Sequence, residues 1–172
     1  DVYKRQVYGR TNYYVLKMFS ENRPDVNLHT DLKPASPEPV FRTNGFIGLG
    51  TNNTEAQFKD LKVIVNGEEI YTSGWSDFVD KWTIIRGDWK TEGNLLSQSQ
   101  KGIDALAILE DREFDDCTIE LKAKKISGTE GFRIVFGGTD SNNYFMADIG
   151  SHTNESVIFR EVNNEGSISL FD

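Results

Sequence analysis

The sequence predicts an all-β fold, an antiparallel β-sandwich preceded by one short N-terminal helix. Two observations carry that expectation. Short segments of period-two alternation recur from residue 45 onward at roughly 8–12-residue spacing, separated by turn signals. Aromatic residues make up 12% of the chain, with eleven Phe, six Tyr and three Trp, a complement suited to packing between two sheets.

The elements follow in order. Thr11–Ser20, TNYYVLKMFS, fits part of a helix with an apolar stripe through Tyr14 and Met18, joined by Leu16 or Phe19, and Thr11 or Asn12 can cap it. Ten residues are too few for an independent helix, so this piece must lean on the sandwich or on a neighbour outside the sequence. All four prolines, Pro24, Pro34, Pro37 and Pro39, fall in 23–44, which reads as an extended linker. Gly45–Asn53 reads as a strand and a turn. In Phe58–Val65, Leu61, Val63 and Val65 share one face, and Phe58 joins them only if a bulge lies near Lys59–Asp60. Asn66-Gly67 is a hairpin turn leading to Glu69–Thr72.

Further along, Ile84–Ile85, Asp88–Lys90, Leu95–Gln98 and Ala105–Leu109 read as short strands. Trp75, Trp82 and Trp89 are expected in the core. Cys117–Lys125 alternates cleanly, with Cys117, Ile119, Leu121 and Ala123 inward. Phe132–Phe136 follows, then a loop over Gly137–Asn143, strands at Tyr144–Ile149 and Ser156–Val162, a turn at Asn163–Gly166, and a last strand from Ser167.

Composition narrows the chemistry. A net charge of −8 repels phosphate backbones, so nucleic acid is not an expected partner, whereas neutral polysaccharide is compatible. No run reaches the ~20 apolar residues of a membrane span. One cysteine, Cys117, allows no intrachain disulfide, which does not argue against export. His29 and His152 are scattered, so neither a nucleophile–His pair nor a zinc set is expected. No cofactor is expected. A structural calcium is the one metal left open, at Asp140-Ser141-Asn142 or Asp115-Asp116, although these residues also populate ordinary turns.

The remaining functional signal lies in the late strands. If Phe145, Ala147 and Ile149 point inward, then Tyr144, Met146 and Asp148 point outward, with Arg133 on the preceding strand and Ile158 and Arg160 on the following one. Tyr144, Asp148, Arg133 and Arg160 are therefore the candidate carbohydrate-binding residues on a shallow outer face: a ring for a sugar's C–H face and charged groups for its hydroxyls. The alternative is that Tyr144 caps the core and the charges pair with one another.

The segment Tyr13-Tyr14-Val15-x-Lys17-x-Phe19-Ser20-Glu21-Asn22 resembles the stretch that closes the catalytic barrel in bacterial α-L-arabinofuranosidases of the retaining (β/α)8 type. Gly45–Thr51, Ala56–Val63, Gly87–Lys90, Cys117–Lys125 and Gly131–Tyr144 resemble an accessory module of the same group. The resemblance implies a concanavalin A-like, laminin-G-like jelly roll. It also implies three regions: 1–22 holding the last barrel helix, 23–44 the linker, and 45–172 the sandwich, with further strands expected beyond Asp172. The family's two catalytic glutamates would lie upstream, so the chain itself is expected to be non-catalytic. Implied partners are plant arabinan or arabinoxylan and the catalytic barrel of the same polypeptide, in an extracellular or periplasmic setting. The competing expectation is a structural spacer that binds no glycan. Phe145-Met146-Ala147 departs from relatives that carry further Trp after the Asn-Tyr pair.

Overall fold

A computed structural model describes residues 44–171, so the expected helix at 11–20 and all of the expected 23–44 linker except Asn44 lie outside the described residues. Twelve strands run β1 (Gly45–Asn52), β2 (Thr54–Val65), β3 (Glu68–Ser73), β4 (Trp82–Arg86), β5 (Trp89–Glu92), β6 (Leu95–Gln98), β7 (Asp104–Phe114), β8 (Cys117–Gly128), β9 (Phe132–Asp140), β10 (Asn143–Gly150), β11 (Ser156–Asn163) and β12 (Gly166–Phe171). They form two antiparallel sheets. The larger has the order β12-β11-β10-β9-β1-β7-β4. In the smaller, β2 pairs with β8 along one edge and with β6 and then β3 along the other.

The β2 bulge is where sequence parity requires it. Lys59 pairs with Lys122 and Lys62 with Glu120, so β2 spends three steps where β8 takes two. Asp60 takes φ 55° there. The extra residue restores phase, and Phe58, Leu61 and Val63 are all fully buried. The Asn66-Gly67 turn closes β2 onto β3 with φ 52° and 83°, the left-handed pair a two-residue hairpin favours.

The inter-sheet core joins Ile47, Leu49, Ala107 and Leu109 of the large sheet to Phe58, Leu61, Val63 and Leu96 of the small one. Trp75, Trp82 and Trp89 belong to it, as expected. Trp75 and Trp82 lie 5.7 Å apart, Phe78 stacks on Trp82, and the Trp82 indole donates to the Tyr71 hydroxyl at 3.1 Å. A single helical turn, Phe78–Lys81, delivers Phe78 to this cluster.

Several strands outrun their sequence-based bounds. β7 continues past Leu109 through exposed Glu110–Glu113 to Phe114, which pairs with Gly45. Polar alternation there carries no burial signal, so only the ladder defines it. The expected Gly137–Asn143 loop is also mostly strand: β9 runs to Asp140 and β10 begins at Asn143.

Candidate functional site

The outer face of the large sheet, opposite the inter-sheet core, is built around two glycines. Gly48 lies between Ile108 of β7 and Val135 of β9, and Gly50 lies between Leu106 and Arg133. A methyl group at Gly48 would come within 2.8 Å of the Ala107 carbonyl oxygen. The central strand is thus bare at two successive positions of this face, and the side chains of Ile108, Val135 and Arg133 close in over them.

All four candidate residues lie on this face in adjacent register. Asp148 of β10 pairs with Arg133 of β9 and Ile158 of β11, Met146 pairs with Arg160, and Tyr144 with Val162. The faces of β10 therefore agree with the sequence reading. Their exposure does not. Asp148 is 1% exposed, Tyr144 8% and Arg133 9%, and the Arg160 side chain is about one quarter exposed. They are not an open, shallow platform. Sequence parity assigns a face but cannot say how deeply that face is buried.

The charges form an alternating row. Arg133 Nη1 meets Asp104 at 3.0 Å and Nη2 meets Asp148 at 3.3 Å, while Arg160 Nε stands 3.8 Å from Asp148. Arg86 Nε donates to the Asp104 backbone carbonyl at 2.9 Å. Asp104 and Arg133 belong to strands separated by β1, about 10 Å apart across the sheet. The bare backbone at Gly50 lets the Arg133 side chain cross that gap. Arg133 Nε and Asp148 Oδ1 are buried without a hydrogen-bond partner. Burial pushes the Tyr144 hydroxyl above its ordinary pKa, opposed by the nearby Arg133 charge and an Arg86 contact.

A second feature adjoins Tyr144. A cavity of ≈ 360 Å³ opens where the β9–β10 hairpin meets the end of β11. Thr139, Asp140, Asn143, Tyr144, Glu161 and Asn163 contribute to its lining. Sequence reasoning singled out Tyr144 for sugar and Asp140 only as a calcium candidate, and missed the cavity's other polar side chains. A usable signal was present: in an antiparallel β10–β11 pair, Asn143 at one strand start and Asn163 at the other strand end must adjoin. Asp140 is braced in its turn, accepting from the Asn142 backbone N–H at 2.8 Å and from the Asn143 side-chain amide at 2.9 and 2.8 Å. Among the described residues no group of three or more His, Cys, Asp or Glu side chains is placed to hold a metal ion. His152 is exposed on the short turn after β10, and His29 lies outside the described residues.

No protein-family model matches the chain, and no solved structure matches it. A curated protein does, over 169 residues at 28% identity. That relative is an arabinofuranosidase. It is described as an extracellular exo-α-L-arabinofuranosidase of Streptomyces chartreusis, and the match covers 96% of this chain but 20% of that protein. The chain therefore spans about a fifth of the length of its curated relative, as an accessory region of a larger glycosidase would. Among the described residues no helix is long and apolar enough to cross a membrane.

Proposed function

We propose that this chain is a non-catalytic β-sandwich region of a secreted α-L-arabinofuranosidase, and that it binds the arabinan or arabinoxylan side chains on which the whole enzyme acts. The observation that carries the binding reading is the cavity beside Tyr144. Phe145 and Glu161, opposite each other on one sheet face, line it with the amides of Asn143 and Asn163 and the hydroxyl of Thr139, groups suited to a ligand made of hydroxyl groups and C–H faces. The Arg133–Asp148–Arg160 row lies with the Tyr144 side chain on the opposite face of the sheet from Phe145 and Glu161, so in this reading it holds β10 in place and the cavity lining meets the sugar.

Hydrolysis needs a free carboxylate pair facing each other across the glycosidic bond. Asp140 and Glu161 both line the cavity, but the Asp140 carboxylate is engaged by Asn142 and Asn143. The parent enzyme's chemistry is assigned to an upstream barrel, in an extracellular or periplasmic setting.

A second reading, a spacer that packs on the rest of the polypeptide, is favoured by the burial of the outer sheet face. Affinity electrophoresis separates the two. With arabinan or arabinoxylan in the gel, the chain should be retarded, and Asn143→Ala and Glu161→Ala should each restore most of its mobility while melting as the parent chain does. Unretarded migration of the folded chain in both gels would favour the spacer.

A further inference from the structure

Val157, Phe159 and Glu161 share one face of β11 by parity, the face that looks toward the smaller sheet. Val157 pairs there with Ile149 and Phe159 with Ala147, apolar against apolar. Glu161 breaks the run. It stands opposite Phe145, whose ring stacks on Phe136 at 6.1 Å, and it lines the cavity. A carboxylate set half-buried among rings and aliphatic side chains is normally paired within the fold. Among the described residues Glu161 makes no hydrogen bond or ion pair.

The other polar groups of the cavity are partly spent. Asn143 donates its amide nitrogen to Asp140, and Asn163 accepts the Glu165 backbone N–H on its amide oxygen at 2.9 Å. Asn143 therefore keeps an acceptor for a ligand, and Asn163 keeps a donor. Among the described residues that line the cavity, none is Lys, Arg or His. Arg133 and Arg160 lie on the opposite face of the sheet, where Asp148 engages both.

We infer that Glu161 is the specificity-determining residue of this cavity, accepting hydroxyl donors from a neutral glycan and turning away a glycan that carries uronate. This deepens the sugar reading of the cavity and rests on it. A carboxylate offers acceptors only, so a sugar hydroxyl meets it by donating, in a charge-assisted bond. A uronate brings a second carboxylate into a site that already holds Glu161 and Asp140 and has no cation to pair with it. Brought within about 8 Å of Glu161, that group should cost at least about tenfold in affinity at low salt.

The test compares two ligands that differ by one charge. Methyl α-1,5-arabinotrioside has a single free primary alcohol, at C5 of its terminal unit, and oxidising that alcohol gives the matching monocarboxylate. NMR titration of the full chain at neutral pH measures both affinities. The neutral trisaccharide should bind at least about tenfold more tightly at low salt, and the margin should shrink at about 1 M salt. That salt dependence is read on the parent chain and needs no variant. Glu161→Gln should bring the two affinities within about threefold of each other, and Glu161→Lys should reverse the preference. Equal affinities in the parent chain at low salt would sink the inference and leave the sugar reading standing. A preference undiminished in Glu161→Gln would move the discrimination to Asp140 and sink it as well. If neither trisaccharide binds the parent chain, the sugar reading itself fails.

Discussion

Asp148 on β10 and Arg133 on β9 stand directly opposite each other, and their side chains meet at 3.3 Å, 2% and 11% exposed. Such a pair is costly to break and cheap to replace, since removing one partner leaves a buried charge while removing both leaves none. Arg133→Ala should therefore destabilise the fold by about 3–5 kcal/mol in urea unfolding. Arg133→Met with Asp148→Leu should recover most of that loss. A single variant as stable as the parent would show that the row is hydrated rather than buried.

Gly138 supports the aromatic end of the same face. A side chain there would collide with the Phe46 ring. Phe46 is 7% exposed and has little room to yield. Gly138→Ala should cost about 1–3 kcal/mol, the usual range for overpacking. Phe46→Leu in the same chain should relieve part of it, measured as a non-additive double-mutant cycle.

The β2 bulge makes an asymmetric prediction about deletions. Removing Asp60 straightens β2 yet keeps Phe58, Leu61 and Val63 on one face, because the bulged residue is the one lost. Removing Lys62 instead turns Val63 outward, since a one-residue slip reverses every side chain beyond it. The Asp60 deletion should fold with a lowered melting temperature. The Lys62 deletion should lose cooperative unfolding.

Cys117 gives the pH dependence. Burial pushes its thiol up to about 11 from an ordinary 9.0. The folded state then holds a proton that the unfolded state releases, so the contribution is fully present below pH 9 and is lost as pH rises through 11. Across that window the loss is about 2–3 kcal/mol. Cys117→Ala should flatten the dependence in that window. Iodoacetamide at pH 8 should label the unfolded chain far faster than the folded one.

Much of this architecture was legible in the sequence because it rests on parity. Phe58 and Leu61 are three apart, both apolar and flanked by alternating residues, so the bulge could be placed before any coordinates. The faces of Tyr144, Met146 and Asp148 followed from the same rule. Two things did not follow. The burial of Asp148 depends on what lies above a sheet face, which alternation along one strand does not encode. The cavity depends on the β10–β11 register, which sets Phe145 opposite Glu161 and brings polar turn residues from two hairpins together. Thr139, Asn143 and Asn163 individually look like turn residues anywhere.

In the proposed function the chain contacts arabinose-containing glycan and leaves it uncleaved. Saturation-transfer NMR on the full chain with arabinotriose reads both properties at once. Irradiating the protein should attenuate the trisaccharide resonances, Asn143→Ala should abolish that attenuation, and the spectrum should stay that of intact trisaccharide over hours. Free arabinose accumulating in proportion to protein, and stopped by Glu161→Gln, would contradict the account.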